Sequence, residues 1–186
     1  FKYADKKIIS STRNTDEAVK KVVAFSKKYK IIGVATSSHD VPLTVAKIAK
    51  KLNLKSISIK NALIASDKRK MKDFFIENKI STSKYFLCKN FKEFSKKKIK
   101  LPIIIKPIDG RGSRGVTYHE DLSKIRWALN YAKENSKYNE ILVEEFMAGR
   151  QLSSEGFVYK KKYFQSAISD RNYSNLPTTK PFIVEG

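Results

Sequence analysis

The first hundred residues alternate between short apolar runs and segments in which apolar residues recur with helical spacing. The runs predict strands at residues 7–10, 31–36 and 54–59, and the helical spacing predicts helices at residues 14–29 and 40–53. Asn14 or Thr15 can cap the first helix, and Asp40 can cap the second. The resulting order, β-α-β-α-β, predicts a parallel sheet with helices on its faces.

The second half of the chain has a different pattern, in which strands predominate. It opens with a strongly amphipathic helix predicted over residues 66–78. Further strands are predicted at residues 84–88, 102–106, 116–119, 141–146, 151–159, 163–170 and 182–185, and further helices at residues 90–98 and 120–135. The strands on either side of the lysine-rich turn at residues 160–162 are predicted to form a β-hairpin.

The composition is typical of one folded domain or of two small ones. Of the 186 residues, 41% are hydrophobic, which is enough for a core of ordinary size. The single cysteine, Cys88, excludes an intramolecular disulfide framework and a zinc site made of several cysteines. No apolar run approaches the roughly 20 residues of a membrane-spanning helix, and no secretory leader is visible. We therefore expect a cytoplasmic location and no membrane partner.

The net charge of +21 is unevenly distributed along the chain. The first 100 residues contain 26 basic and 8 acidic residues, whereas the remaining residues contain 13 and 10. Such a charge raises the hypothesis of a nucleic-acid-binding domain, because Lys and Arg neutralise phosphates. However, 32 of the 39 basic residues are lysines, and base-specific contacts favour Arg. We interpret most of the lysines as solvated helix surface and do not expect nucleic acid as a partner.

Residues 109–115, here called the glycine loop, carry Gly110, Gly112 and Gly115 between two predicted strands. A dinucleotide-binding fingerprint requires a helix after its third glycine, and a Walker loop requires Lys and then Ser or Thr. Neither condition is met, and the motifs that accompany a protein-kinase loop are absent. What remains is a lid with backbone amides, a Ser113 hydroxyl and two arginines that can fold over a triphosphate. The alternative is a plain glycine-rich hairpin loop. Lys106 ends the preceding strand, and we expect its ammonium to reach the same space.

Residues 143–149, here called the hinge string, place two acids at the end of a strand, followed by an apolar pair and Gly149. Such a segment can present backbone C=O and N–H groups to an adenine edge while Phe146 and Met147 cover the ring. The alternative interpretation is an exposed strand end with a turn.

Together these strings resemble those of the ATP-grasp superfamily, in the same order and over nearly the whole chain. Residues 67–71 resemble the Asp-Lys-x-x-Met helix that opens the ATP-grasp fold, and residues 102–116 resemble its strand, lysine and lid loop. The hinge string resembles the connection between the two lobes that grip the nucleotide. Residues 167–171 and 181–185 are similar to strands of the carboxylate–amine ligase and carbamoyl-phosphate-synthase-like branches.

The resemblance implies an α/β fold in two parts. A parallel-sheet pre-ATP-grasp domain would occupy residues 1–60, and the N-terminal and central parts of an ATP-grasp domain would occupy residues 61–186. Within the second part, a small nucleotide-gripping lobe would span about residues 101–148, and a C-terminal lobe would begin at residue 149.

The resemblance also implies a role for each matching residue. Lys68 and Lys106 would contact the ATP phosphates and act in catalysis, as point charges that offset charge on the transferring phosphoryl group. The residues that would close over the phosphates are Gly110, Gly112, Ser113 and Gly115.

At the other end of the nucleotide, Glu144 would meet the adenine amino group. The backbone of Glu145 and Met147 would read the adenine edge, and Phe146 would pack near the ring. Gln151 stands where the family has a ribose-binding Glu. An amide can still hydrogen-bond a ribose hydroxyl, although it lacks the charge.

The family holds Mg²⁺ with acidic residues and an Asn on late strands, and no such motif precedes Gly186. The resemblance therefore implies that ATP and Mg²⁺ are cofactors, that the metal ligands lie beyond Gly186 and that the chain is truncated at its C-terminus. For the same reason we expect the 186-residue chain alone to be inactive.

The function that the resemblance implies is that of an ATP-dependent ligase. ATP would phosphorylate a small carboxylate, and an amine or another nucleophile would then displace phosphate. Carbamoyl-phosphate-synthase or biotin-carboxylase-like carboxyphosphate chemistry is the alternative within the fold, and a nucleotide-binding module without catalysis is the alternative outside enzyme function. A homo-oligomer is compatible with each of these functions.

Overall fold

The computed structural model describes residues 4–11, 14–36 and 40–171. The chain divides into two compact units, Phe1–Ile80 and Ser81–Gly186. The domain boundary predicted between residues 60 and 61 stays a prediction, because the limits of a compact unit and those of a nucleotide-binding domain are different properties. In the part of the chain that is described, no helix is long and apolar enough to cross a membrane.

The described part of the first unit contains four helices. They are α1 (Thr15–Ser26), α2 (Pro42–Lys51), α3 (Ile59–Ser66) and α4 (Lys68–Glu77). The side chain of Asn14 caps α1 by accepting a hydrogen bond from the Glu17 amide at 3.1 Å, as predicted. Asp67 caps α4 in the same way through the amides of Arg69 and Lys70. The N-cap of α2 is Val41 rather than Asp40, and it provides no side-chain hydrogen bond.

Small buried side chains hold these helices together. Ala46 and Ala49 of α2 and Ala62 of α3 are at most 2% exposed. The hydroxyl oxygens of Thr15 and Thr44 lie 2.9 Å apart and join α1 to α2 by a hydrogen bond. Alanine side chains allow close approach of helix axes, and Ile48 of α2, at 5% exposed, adds one large side chain to this core.

The parallel sheet predicted for the first unit is wrong for the described residues. The strands predicted at residues 7–10, 31–36 and 54–59 are not formed there, and Ile59 instead begins α3, capped by the Ser58 side chain. A segment becomes a β-strand only when a neighbouring strand provides hydrogen-bond partners for its backbone. β-branched residues favour strands because their side chains pack well on a half-buried sheet. Here Ile9 and Ile32 are 80% and 84% exposed, so that packing is absent.

The second unit contains a four-stranded sheet, a hairpin and two helices. Its elements are β1 (Tyr85–Cys88), α5 (Phe91–Phe94), β2 (Ile103–Pro107), β3 (Thr117–His119), α6 (Ile125–Glu134), β4 (Ile141–Glu145), β5 (Leu152–Tyr159) and β6 (Lys162–Asp170). The sheet order is β1-β4-β2-β3, and every neighbouring pair is antiparallel. The predicted strands of this region are confirmed, whereas both helices are shorter than predicted. The strand predicted at residues 182–185 lies outside the described residues.

One face of this sheet is buried against α5 and α6. Alternate residues of β2 and β4 form a closed apolar cluster with the inner side of α6. Its members are Cys88, Phe94, Ile103, Ile105, Ile125, Ala128, Leu129, Ala132, Ile141 and Val143. The intervening residues of the same strands lie on the opposite face, so the core of the unit fixes which side chains that second face carries.

The predicted hairpin is confirmed. β5 and β6 pair antiparallel with Tyr159 opposite Lys162. Lys160 and Lys161 form the two-residue turn and both have positive φ, 47° and 65°, which is the backbone twist that two-residue hairpin turns require. The rings of Phe157 and Phe164 stack across the strands with centroids 5.2 Å apart.

Candidate functional site

The candidate site is on the sheet face opposite α5 and α6, which we call the Lys106 face and define by Ile104, Lys106, Leu142 and Glu144. In the register of β2 with β4, Lys106 lies opposite Leu142 and Glu144 lies opposite Ile104. Lys106 and Glu144 are therefore diagonal neighbours on one face, within reach of a long side chain. The sheet itself brings together two residues that are 38 positions apart in sequence.

Lys106 and Glu144 form an ion pair from Nζ to Oε1. The second carboxylate oxygen of Glu144 accepts a hydrogen bond from the Ser83 hydroxyl at 3.0 Å. The side chains of Lys106 and Glu144 are only 19% and 11% exposed, so water screens the pair less than it screens a surface pair. The face thus holds a cation in one position, directly before the glycine loop.

The base of the glycine loop is fixed by packing and hydrogen bonds. Asp109 accepts hydrogen bonds from the Ser136 hydroxyl at 2.5 Å and from the Lys137 amide at 3.1 Å. A Cβ at Gly110 would lie 2.4 Å from Cγ of Pro107. At Gly115, where φ is +73°, a Cβ would lie 2.8 Å from Cβ of Asn135. Both positions therefore require glycine, because no larger residue fits between the loop and its support.

The tip of the glycine loop is open. Arg111, Gly112 and Arg114 are exposed, and Ser113 has a φ of +55°. The turn is closed by a hydrogen bond from the Val116 amide to the Ser113 carbonyl at 3.2 Å. Anchored ends with an exposed, cationic tip are the geometry expected of a loop that covers an anion, although a structural hairpin loop shares the anchored ends.

In the hinge string, Val143 belongs to the apolar cluster, and Glu144 lies on the Lys106 face. The Glu145 amide donates to the Lys84 carbonyl at 3.0 Å, and the Phe146 amide donates to the Pro102 carbonyl at 2.9 Å. The Phe146 ring meets the ring of Tyr118 edge to face, with centroids 4.9 Å apart. Met147 is 63% exposed. An aromatic surface therefore borders the ion pair, and an exposed thioether follows it.

Gln151 lies just beyond the hinge string, at the open end of the hairpin. Its carbonyl accepts a hydrogen bond from the Arg171 amide at 2.9 Å. The neighbouring Arg150 guanidinium binds both carboxylate oxygens of Asp170 at 2.8 Å. These bonds fix the backbone at Gln151, and its half-buried side chain remains a candidate for a ribose hydroxyl.

The structure assembles most, but not all, of the predicted site residues in one unit. Lys106, the glycine loop, the hinge string and Gln151 all belong to the second unit, whereas Lys68 is the first residue of α4 in the first unit.

Two further residues of this site were missed by sequence reasoning. The Ser83 hydroxyl donates a hydrogen bond to Glu144, and the Tyr118 ring packs against the Phe146 ring. Nothing in the local sequence marked either residue, because both contacts join residues that are far apart along the chain.

Two nearby ionisable groups are held in their neutral forms. Burial, with a smaller effect of Glu93, raises the pKa of the Cys88 thiol to about 12. Burial lowers the pKa of His119, whose Nε2 lies 2.9 Å from the Thr117 hydroxyl oxygen. Both side chains face the closed interior, so neither is a candidate nucleophile or base.

A metal site is not found among residues 4–11, 14–36 and 40–171. These residues contain no cluster of three or more His, Cys, Asp or Glu side chains that could hold an ion. The described donors therefore do not fit Mg²⁺.

No protein-family model matches the chain, but two curated relatives do. The D-alanine–D-alanine ligase of Pelagibacter ubique (strain HTCC1062) is 39% identical over 95 residues, which are 48% of this chain and 30% of the relative. The carbamoyl-phosphate synthase of Methanobrevibacter smithii (strain ATCC 35061 / DSM 861 / OCM 144 / PS) is 25% identical over 162 residues, 79% of this chain and 42% of the relative. The chain thus spans less than half the length of these relatives.

The chain is also similar to solved structures of ligases and synthetases. The D-alanine–D-alanine ligase from Helicobacter pylori is 25% identical, with a TM-score of 0.58 over 68% of this chain and 40% of that one. The L-amino acid ligase from Bacillus licheniformis is 19% identical and shares the fold, with a TM-score of 0.72 over 93% of this chain and 41% of that one. The phosphoribosylglycinamide synthetase from Anaerococcus prevotii is 24% identical, with a TM-score of 0.60 over 97% and 43%. The mixed α/β fold and the resemblance to ATP-grasp ligases are thereby confirmed over the part that the chain spans.

Proposed function

We propose that this chain, which shares the fold of the ATP-grasp ligases, is the nucleotide-binding part of an ATP-dependent ligase that joins a carboxylate to an amine or another nucleophile. The observation that carries the proposal is the partly buried Lys106 ammonium, fixed on a sheet face directly before an anchored glycine loop. The likeness to a D-alanine–D-alanine ligase and to a carbamoyl-phosphate synthase supports it.

In this proposal the phosphates of ATP lie between Lys106 and the glycine loop. The Lys106 ammonium neutralises charge on the transferring phosphoryl group, and the loop contributes amides of Gly110, Gly112 and Gly115 with the Ser113 hydroxyl. Lys68, the other lysine that the resemblance assigns to the phosphates, would add a second cation.

The adenine would lie against Phe146, with Met147 covering the ring and Gln151 bonding a ribose hydroxyl. Because the Glu145 amide already donates to Lys84, the contribution of Glu145 to the adenine edge falls to its carbonyl. Glu144 would accept from the adenine amino group. Tyr118 would act as a positioning residue, since it supports Phe146 rather than the nucleotide.

The proposed reaction has two displacements. A carboxylate oxygen attacks the γ-phosphorus of ATP, the bond from that phosphorus to the ADP oxygen breaks, and an acyl phosphate forms. The amine then attacks the carbonyl carbon, the bond from that carbon to the phosphate oxygen breaks, and phosphate and a proton are released. No protein nucleophile is needed, so the chain's contribution is to position groups and to offset charge.

Mg²⁺ would accompany ATP, held by residues outside the described ranges, and the location would be cytoplasmic. A small carboxylate and an amine would be the substrates. Homo-oligomers are compatible with the proposal.

Carboxyphosphate chemistry of the carbamoyl-phosphate-synthase or biotin-carboxylase type is a second candidate. The observation in its favour is that the carbamoyl-phosphate synthase matches 79% of this chain, against 48% for the D-alanine–D-alanine ligase. In that case bicarbonate would replace the organic carboxylate in the first displacement. The third candidate function is nucleotide binding without catalysis.

Two measurements test the proposal. Titration calorimetry of the chain with ATP should show binding that Lys106→Met weakens at least tenfold and that Lys100→Met, an exposed lysine outside the site, leaves unchanged. Equal affinities of the three proteins would remove Lys106 from the site.

The reaction is tested with the protein as its gene encodes it. Hydroxylamine traps an acyl phosphate as a hydroxamate, so ATP with a panel of amino acids should yield hydroxamate and ADP. ADP formation that depends on bicarbonate and not on amino acids would favour carboxyphosphate chemistry. ATP binding without any turnover would favour the module.

A further inference from the structure

A second candidate site, which is concave, lies on the far side of the sheet from Lys106. It is a cavity of about 360 Å³ between the β1–α5 connection and α6, and we call it the basic pocket. Its floor is apolar, formed by Phe91, Leu129 and Ile141. Leu129 and Ile141 belong to the cluster that closes the other sheet face, so the pocket is separated from the Lys106 face by the sheet itself.

The rim of the basic pocket is cationic. Lys89, Lys92, Arg126 and Lys133 line it, together with Asn90 and Asn130, and no carboxylate lines it. Arg126, Asn130 and Lys133 share one side of α6 because they follow one another at helical spacing. Within the described ranges none of the four cations is paired with a carboxylate.

Two contacts shape the charge around the basic pocket: one positions Arg126, and the other occupies the carboxylate of Glu93. The Arg126 guanidinium lies over the Phe91 ring, with Cζ 3.7 Å from the ring centroid, which orients its free edge. Glu93, which belongs to α5, accepts a hydrogen bond from the Lys89 amide at 2.9 Å. Glu93 is thereby engaged with backbone rather than with a lysine ammonium.

We propose that the basic pocket binds a small phosphorylated molecule whose phosphate meets Arg126 and the lysines and whose apolar part rests on Phe91, Leu129 and Ile141. Four like charges around one cavity repel one another, and a dianion relieves that repulsion. A planar guanidinium fixed by stacking is well suited to bidentate phosphate binding. The cavity volume lies in the range of small-molecule sites, about 300–1,000 Å³, and the apolar floor distinguishes it from a uniformly charged surface.

Phenyl phosphate is the probe, because it combines a dianion with an apolar ring. Titration of the isotope-labelled chain, followed by amide NMR, should shift the amides of Asn90, Leu129 and Asn130. The affinity should exceed that for inorganic phosphate, since the ring buries apolar surface. Saturating ATP should not displace the probe, and this result is independent of whether the Lys106 face binds ATP.

Three variants decide the proposal. Lys133→Gln and Arg126→Gln should each weaken phenyl phosphate binding about tenfold, the loss of one charge-assisted contact. Lys96→Gln, an exposed lysine that does not line the pocket, should leave it unchanged. Lys133 is exposed, so Lys133→Gln is expected to fold normally. It therefore still tests the proposal if Arg126→Gln unfolds the chain.

Two outcomes would overturn the proposal. Equal weakening by Lys96→Gln and Lys133→Gln would indicate diffuse attraction of anions. A single-stranded oligonucleotide that binds far more tightly than phenyl phosphate, and loses affinity equally in all three variants, would indicate a polyanion surface instead.

Discussion

Lys106 and Glu144 form an ion pair across neighbouring strands, although the two residues are proposed to bind opposite ends of ATP. The ammonium is proposed to meet phosphates and the carboxylate to meet the adenine amino group. One ammonium held by a carboxylate is less available to a phosphate, so nucleotide binding is expected to loosen this pair. Loss of the Glu144 carboxylate is therefore expected to strengthen phosphate binding and to weaken adenine binding.

Glu144→Gln should separate the two roles. Removing the carboxylate frees the Lys106 ammonium, so we expect tripolyphosphate to bind several-fold more tightly to the variant than to the parent chain. ATP should gain less, because the adenine amino group loses its charged acceptor. Calorimetric titrations with both ligands measure the ratio, and Glu140→Gln, an acid outside the site, is the control. An unchanged ratio of the two affinities would contradict the adenine role of Glu144.

The same pair should contribute to folding stability. Lys106→Met leaves a nearly buried carboxylate that has lost its cation and still accepts a hydrogen bond from the Ser83 hydroxyl. Such a loss costs about 1–3 kcal/mol for a pair that is partly exposed. The double variant Lys106→Met/Glu144→Leu should recover much of the lost folding free energy, because it leaves no charge of the pair without its partner. A double-mutant cycle from urea unfolding measures the coupling. Additive losses would show that the pair contributes nothing.

Gly115 should be much less tolerant of alanine than Gly112. Both have positive φ, which costs a non-glycine residue about 1–2 kcal/mol. A Cβ at Gly115 would also approach Asn135 to 2.8 Å, whereas at Gly112 it would meet nothing within 4 Å. Gly115→Ala is therefore expected to lower the free energy of unfolding by more than Gly112→Ala does. Equal losses in denaturant titrations would mean that the loop base does not pack as described.

The tip of the glycine loop should respond to nucleotide. Its ends are anchored through Asp109 and Pro107, and its arginines are exposed. We expect the amides of residues 111–114 to exchange rapidly with deuterium in the free chain and to slow when Mg-ATP is added. The core strands β2 and β4 provide the internal reference, since their amides should be protected in both states. Strong protection of the tip without nucleotide would favour a plain structural loop.

His119 should make the fold sensitive to mild acid. Burial is the main reason that its folded-state pKa lies below the ordinary value, with Asp121 opposing and Lys124 adding to the shift. The unfolded chain therefore binds a proton first, and stability should fall as the pH drops below about 6.5, by at most about 1.4 kcal/mol per pH unit. Urea unfolding between pH 7.5 and 5.5 measures this slope. His119→Gln should flatten it, and an identical slope in the variant would assign the effect to other groups.

The sequence by itself determined the elements of the second unit. Ile103–Pro107 and Ile141–Glu145 are strands as predicted because their apolar runs are long enough to fill the sheet interior. The local order of strand, lysine, glycine loop and hinge string was equally readable, because these motifs depend on neighbouring residues. The cap at Asn14, one of the two candidates for α1, was found for the same reason.

Tertiary structure alone decided the rest. The exposed Ile9 and Ile32 show that a β-branched run becomes a strand only where a neighbouring strand offers hydrogen bonds. The pairing of Lys106 with Glu144, the Ser83 hydroxyl on that carboxylate and the Arg126–Phe91 contact join residues far apart in sequence. Strand register and helix packing set those distances, and a linear pattern carries no information about them because it records only the neighbours along the chain.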